Sequence, residues 1–141
     1  LDEDEETIFL FAIGANDSQF INSKNKLSSD KFQNNIQKII SLAKKYSQKI
    51  VFFGLFPCNE SKTVPIPWDT VKSYKNEYIK QYNEIAESVC AKNKILFVEI
   101  FEKFIKENYK DLSEDGLHPN SEGHEKIFKV ARDYLIKYKI I

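Results

Sequence analysis

Three short apolar runs, Ile8 to Ile13, Ile50 to Phe56 and Ile95 to Val98, constrain what this chain can fold into more than any other feature. An apolar run of strand length with no polar alternation reads as a strand buried on both faces, the pattern of a parallel sheet. The segments between the runs have helical spacing instead. Phe32, Ile36, Ile39, Ile40 and Ala43 recur three or four apart between Ser28 and Tyr46, and Ser28 and Ser29 can cap the start. Tyr78, Ile79, Tyr82, Ile85, Ala86 and Val89 mark a second helix, and Phe101, Phe104 and Ile105 a short one. Ile127, Phe128, Ala131, Tyr134, Leu135 and Tyr138 line a last helix, with Asn120 as its N-cap.

Strands alternating with helices of this length imply two βαβ units, right-handed crossovers and helices packed on the faces of a parallel sheet. The expected fold is therefore α/β with three layers, one domain over residues 1–141 without repeats or linkers. Three strands are few, since sheets usually have about five to six. The sheet is expected to be incomplete, and the strand at Ile8 to Ile13 to offer an open edge through which copies associate. The opening Leu1-Asp2-Glu3-Asp4-Glu5-Glu6 has no Met, no basic start and no apolar h-region. It reads as the start of a cut piece, the C-terminal portion of a larger domain.

Composition removes several function classes. Of the 141 residues, 42% are apolar, enough for a core. Lys and Arg number 21 against 21 Asp and Glu, spread along the chain, so no basic stripe points to nucleic acid. No run approaches the ~20 apolar residues of a membrane span. Cys58 and Cys90 form neither a disulfide framework nor a CxxC motif and read as buried or half-buried thiols. The compartment stays open, with a lean to the cytoplasm.

In open α/β sheets ligands sit beyond the carboxyl ends of the strands, so the loops there carry the search. The first is Gly14-Ala15-Asn16-Asp17-Ser18. Asn16 there can donate to a developing oxyanion, or Asn16 and Asp17 can simply close a turn. The second is Asp115-Gly116-Leu117-His118-Pro119-Asn120, just before the last helix. A bend at Gly116 lets Asp115 reach one imidazole nitrogen of His118, leaving the other as a general base, while Pro119 limits the loop's path. A satisfied loop histidine beside a turn aspartate is the alternative. The loop from Pro57 to Trp68 is long and proline-rich, and Trp68 either walls a pocket or anchors packing. A metal site from Asp17, Asp115, His118 and His124 has no supporting motif, and neither GxGxxG nor GxxxxGK[ST] occurs.

GxND after one strand and DGLHPN opening the last helix together resemble the third and fifth sequence blocks of GDSL-type (SGNH) lipases and acylhydrolases. Gly54-Leu55-Phe56-Pro57 and the Tyr82-Asn83 helix are also similar to members of that family, so the resemblance covers nearly the whole chain. It implies a three-layer αβα fold with a flavodoxin-like parallel sheet, and hydrolysis of small-molecule or lipid esters without a cofactor. It further implies His118 as general base, Asp115 as its orienting carboxylate, Asn16 as oxyanion donor and Gly14 as the strand-exit glycine. Asp17, Gly116 and Pro119 complete the two motifs. The departure is the family's nucleophile, which lies in a Gly-Asp-Ser block that this chain lacks. Ser18 is expected to be a turn hydroxyl, and Ser113 and Ser121 loop and helix-start residues. The chain is then either a hydrolase portion inactive alone, or a non-catalytic ligand-binding relative.

Overall fold

The structure, a computed structural model, describes residues 6–141; the acidic opening Leu1 to Glu5, read above as the start of a cut piece, lies outside the described residues. The chain runs β1 (Ile8–Phe11), β2 (Phe20–Ile21), β3 (Lys24–Asn25), α1 (Ser29–Ala43), β4 (Lys49–Phe53), α2 (Glu60–Thr63), β5 (Lys72–Ser73), α3 (Asn76–Asn93), β6 (Leu96–Val98), α4 (Phe101–Phe104) and α5 (Ser121–Lys137), with a 3-10 turn at Tyr109–Leu112 before α5. The three apolar runs form one parallel sheet in the order β1-β4-β6. Sequential parallel strands joined through helices are what the two-unit reading requires.

Side chains alternate across the sheet, and each face builds its own core. Register pairs Phe11 with Phe52 and Phe52 with Phe97, and their rings form a row with 6.2 Å between successive centroids. This row faces α1 and α3, whose Phe32, Ile36, Ile40, Ile79, Tyr82 and Ala86 are almost fully buried. The opposite face pairs Leu10 with Val51 and Val51 with Leu96, and α4 and α5 cover its β4 and β6 part through Phe104 and Val130. The result is an αβα sandwich over β4 and β6.

At β1 the expectation of burial on both faces is corrected. The strand ends at Phe11, Leu10 is 53% exposed and Ile13 39% exposed, because no described element packs against that face of β1. Phe9 and Phe11 on the other face are half-buried against the core. Among the described residues β1 pairs only with β4, so its outer backbone edge carries no ladder bonds.

Further elements escape the apolar patterns. β2, β3 and β5 form a small antiparallel sheet with β2 in the centre, built from two-residue strands that lie outside the three apolar runs and the helical patterns. The helix start also differs in detail: Ser28 is the N-cap of α1, yet its hydroxyl makes no capping bond. At α5 the expected cap is present, with Asn120 Oδ1 accepting the Gly123 N–H at 2.9 Å.

Candidate active site

Both motifs lie past the carboxyl ends of the strands. Gly14 leaves β1 with φ +124°, a conformation that disfavours any residue with a Cβ, and a Cβ here would meet the Phe32 ring at 3.0 Å. Its carbonyl accepts the N–H groups of Asp17 and Ser18, which folds the next residues into a tight turn. That turn leaves Asn16 exposed and Asp17 half-buried. Burial raises the Asp17 pKa, against the pull of Lys26. Ser18 is 1% exposed, and its hydroxyl donates to the Ala15 carbonyl at 2.7 Å, so it closes the turn.

The second motif is a loop pinned at its base. Ser113 and Pro119 form an antiparallel bridge, the Asn120 N–H donates to the Leu112 carbonyl at 2.8 Å, and the Asn120 amide donates to the Asp111 carbonyl at 2.9 Å. Within it, Asp115 Oδ1 accepts the N–H groups of Leu117 and His118, both at 2.8 Å. Asp115 Oδ2 lies 2.6 Å from His118 Nδ1. Burial raises the Asp115 pKa, but the His118 ring and the two N–H donors outweigh it and hold the carboxyl below its ordinary value. The carboxylate thus fixes one side of the imidazole while the ring itself stands 73% exposed.

Gly116 makes the bend at φ +85°, and α2 fits against it: a Cβ there would lie 2.7 Å from the Lys62 Cβ and 3.1 Å from the Asn59 carbonyl oxygen. The Asn59 N–H donates to the Gly116 carbonyl at 2.7 Å, and Lys62 Nζ donates to the Glu114 carbonyl at 2.7 Å. The loop after β4 therefore clamps the histidine loop, a role no local pattern around Pro57 to Trp68 announced. Trp68 is 56% exposed at the second corner of a turn in which the Asp69 N–H donates to the Ile66 carbonyl. It neither anchors packing nor lines the cavities at the motifs.

Asp115 and His118 line one cavity of about 380 Å³, and Gly14, Asn16 and Asp17 line a larger apolar groove of about 760 Å³ beside it. Pro119 and His124 border both, so the motifs share one stretch of the sheet's carboxyl edge. The groove runs between the end of β1 and Ile127, Phe128 and Ala131 of α5. Among the described residues no three His, Cys, Asp or Glu side chains converge as a metal site. No described helix is long and apolar enough to cross a membrane. Cys58 and Cys90 are buried and unpaired, and burial pushes their thiols up to about 11 and about 12.

The Asn16 carboxamide is held by two residues that no motif flagged. Tyr74 donates its hydroxyl to Asn16 Oδ1 at 2.8 Å and accepts from Gln19 Nε2 at 2.8 Å. These contacts span 58 and 55 positions of sequence, beyond any local signal.

A parallel sheet between helix layers places the chain in the class of three-layer α/β folds, with an acid-histidine pair and a carboxamide toward the sheet's carboxyl edge. The model of the GDSL-like Lipase/Acylhydrolase family matches residues 1–126, and the chain belongs to that family. No curated protein matches the chain by sequence. Among solved structures, a lipase/acylhydrolase from Enterococcus faecalis superposes with a TM-score of 0.70 at 19% identity, over 92% of this chain and 60% of that one. A GDSL-like lipase from Bacteroides thetaiotaomicron gives 0.69 at 21% identity, over 93% and 62%. A catalytic mutant of an acetylxylan esterase from Geobacillus stearothermophilus gives 0.64 at 17% identity, over 89% and 57%. The chain thus spans about three fifths of the length of these structures, and the likeness establishes the SGNH-type fold.

Proposed function

We propose that this chain carries the general base, its carboxylate partner and an oxyanion donor of a serine ester hydrolase. The observation that carries the reading is the 2.6 Å contact between Asp115 Oδ2 and His118 Nδ1 beside an apolar groove. A carboxylate on Nδ1 fixes the tautomer with its proton there, which leaves Nε2 as the proton acceptor. Function is argued from this site, since the fold alone hosts many activities.

In the proposed reaction a serine hydroxyl attacks the carbonyl carbon of an ester while His118 takes its proton. Asn16 Nδ2 donates to the tetrahedral oxyanion, and Asp115 stabilises the imidazolium. The proton then passes to the leaving alkoxide, freeing the alcohol and an acyl-serine. Water attacks that ester with His118 again as base, releasing the carboxylic acid. The site needs no cofactor for these steps. The substrate class is a small-molecule or lipid carboxylic ester, in keeping with the lipases and acetylxylan esterase of like fold.

The nucleophile is the part we place outside these 141 residues, on polypeptide that pairs with the free edge of β1 and covers Leu10. The open β1 face and the limited coverage of the related structures support this. The chain alone is then expected to be inactive and to self-associate through the same edge. The test is p-nitrophenyl acetate hydrolysis by the full-length protein, wild type beside His118→Ala, with the 141-residue chain as a third sample. Activity that falls at least ~10³-fold in the variant and is absent from the chain supports the reading. A full-length protein that is inactive, or indifferent to His118, overturns it in favour of a non-catalytic ligand-binding module.

A further inference from the structure

We infer that Tyr74 is a positioning residue: with Gln19 it sets which end of the Asn16 carboxamide faces substrate. The inference deepens the oxyanion role proposed for Asn16 and rests on it. A carboxamide is nearly symmetric in shape but opposite in polarity at its two ends. Turned one way Asn16 offers two N–H donors to an oxyanion; turned the other it offers a carbonyl oxygen, which would repel one. Asn16 is exposed at the tip of a turn, where its own backbone does not decide between these states.

The decision comes from the small antiparallel sheet. Phe20 of β2 pairs antiparallel with Ser73 of β5, so Gln19, one residue before Phe20, and Tyr74, one residue after Ser73, come side by side. Both are buried, at 7% and 3% exposure, so their hydrogen bonds have little competition from water. Tyr74 is further held by its backbone, since its N–H donates to the Thr63 carbonyl and its carbonyl accepts the Thr63 hydroxyl at 2.9 Å. A phenol has one proton to give. Because Gln19 Nε2 already donates to the Tyr74 oxygen, that proton is directed at Asn16 Oδ1. The polarity of the chain Gln19 to Tyr74 to Asn16 thereby presents Nδ2 outward, toward the groove that Asn16 lines. The small sheet, which the apolar pattern of the sequence did not announce, thus acts on the reacting centre through one hydroxyl.

Two measurements test this, and the first needs no turnover. The side-chain ¹⁵N order parameter of the Asn16 amide is measured in the full-length protein, in wild type and in Tyr74→Phe. The expected result is a restrained amide in wild type that becomes mobile in the variant, with the backbone amides of the Gly14 to Ser18 turn unchanged. Equal mobility in the two overturns the inference, as does an amide already mobile in wild type. The second measurement is ester turnover by the full-length protein for Tyr74→Phe, Asn16→Ala and the double variant. Loss of the restraint should lower kcat roughly tenfold with KM little changed, less than deletion of the donor itself. In the Asn16→Ala background the Tyr74 change should then have no further effect on kcat. A Tyr74→Phe loss that persists in that background marks a merely structural role and overturns the inference. Full turnover in Asn16→Ala, with the amide still restrained by Tyr74, overturns the oxyanion reading while leaving the restraint standing. Gln19→Leu keeps the Tyr74 hydroxyl but removes the donor that directs its proton, so it should loosen the Asn16 amide in the same direction as Tyr74→Phe; an amide as restrained as in wild type overturns the role given to Gln19.

Discussion

Asp115 holds His118 at two points: Oδ1 accepts the His118 backbone N–H at 2.8 Å, and Oδ2 meets the ring nitrogen Nδ1 at 2.6 Å. One carboxylate therefore fixes both the chain and the ring of the same residue. Asp115→Asn should retain a backbone acceptor while its amide donates to Nδ1, forcing the imidazole into the wrong tautomer. In the full-length protein kcat is expected to drop by about 10³ to 10⁴-fold, with a melting temperature close to wild type. Steady-state kinetics beside a thermal melt separate this from simple unfolding.

Asn16→Ala removes the proposed oxyanion donor without touching the base. A loss on the order of 10² to 10³ in kcat is expected, with KM nearly constant, because the interaction strengthens as charge develops on the ester oxygen. Proportional changes in KM instead would mean that Asn16 binds the ground state.

Gly116→Ala tests the clamp between α2 and the histidine loop. The residue sits at φ +85°, and a Cβ would lie 2.7 Å from the Lys62 Cβ, so α2 or the loop must move. A destabilisation of roughly 1–3 kcal/mol is expected in chemical denaturation. The His118 ring resonances should shift in the same variant, since the bend also aims the imidazole.

Glu99 gives a pH-dependent prediction. Burial raises its pKa above the ordinary 4.5, although the Glu102 N–H donates to its Oε1 at 2.9 Å. A raised carboxyl pKa means the folded state holds the proton more tightly than the unfolded state does. The ionised side chain thus weakens folding above its folded pKa, and the penalty fades as pH falls through that value toward 4.5. Glu99→Gln, which keeps an oxygen for the Glu102 N–H, should raise the melting temperature at pH 7 by about 1–3 °C. The difference from wild type should close below pH 4.5 in melts across pH.

Leu10→Lys tests the open face of β1. Leu10 is 53% exposed on a strand whose outer edge is unpaired among the described residues. If copies of the chain associate there, a charge on that strand should shift sedimentation toward monomer, as lysines do on natural edge strands. A sedimentation profile that Leu10→Lys leaves unchanged would remove this edge from the proposal.

Much of this was legible in the sequence because its signals are local. Unbroken apolar runs at Ile50 to Phe53 and Leu96 to Val98 have no stable alternative to burial in a sheet, and Phe32, Ile36 and Ile40 align on one side of any helix. Asp115 and His118 are three residues apart around a glycine bend, so their contact follows from chain geometry over a single turn. The DGLHPN motif and the cap at Asn120 are local in the same sense.

What the tertiary structure alone decided involves residues far apart in sequence. Only the assembled sheet left the Leu10 face of β1 bare, because its cover depends on which elements pack there and not on its composition. The β2-β3-β5 sheet consists of two-residue strands with no periodicity to read, and Phe20 and Ser73, which pair across it, are separated in sequence by α1, β4 and α2. The clamp of Lys62 on Glu114 and the hold of Tyr74 on Asn16 join residues 52 and 58 positions apart. Such contacts stabilise one geometry out of many that the same local propensities allow. The sequence by itself therefore determined the local pairing of Asp115 with His118, and long-range packing decided how the proposed site is aimed.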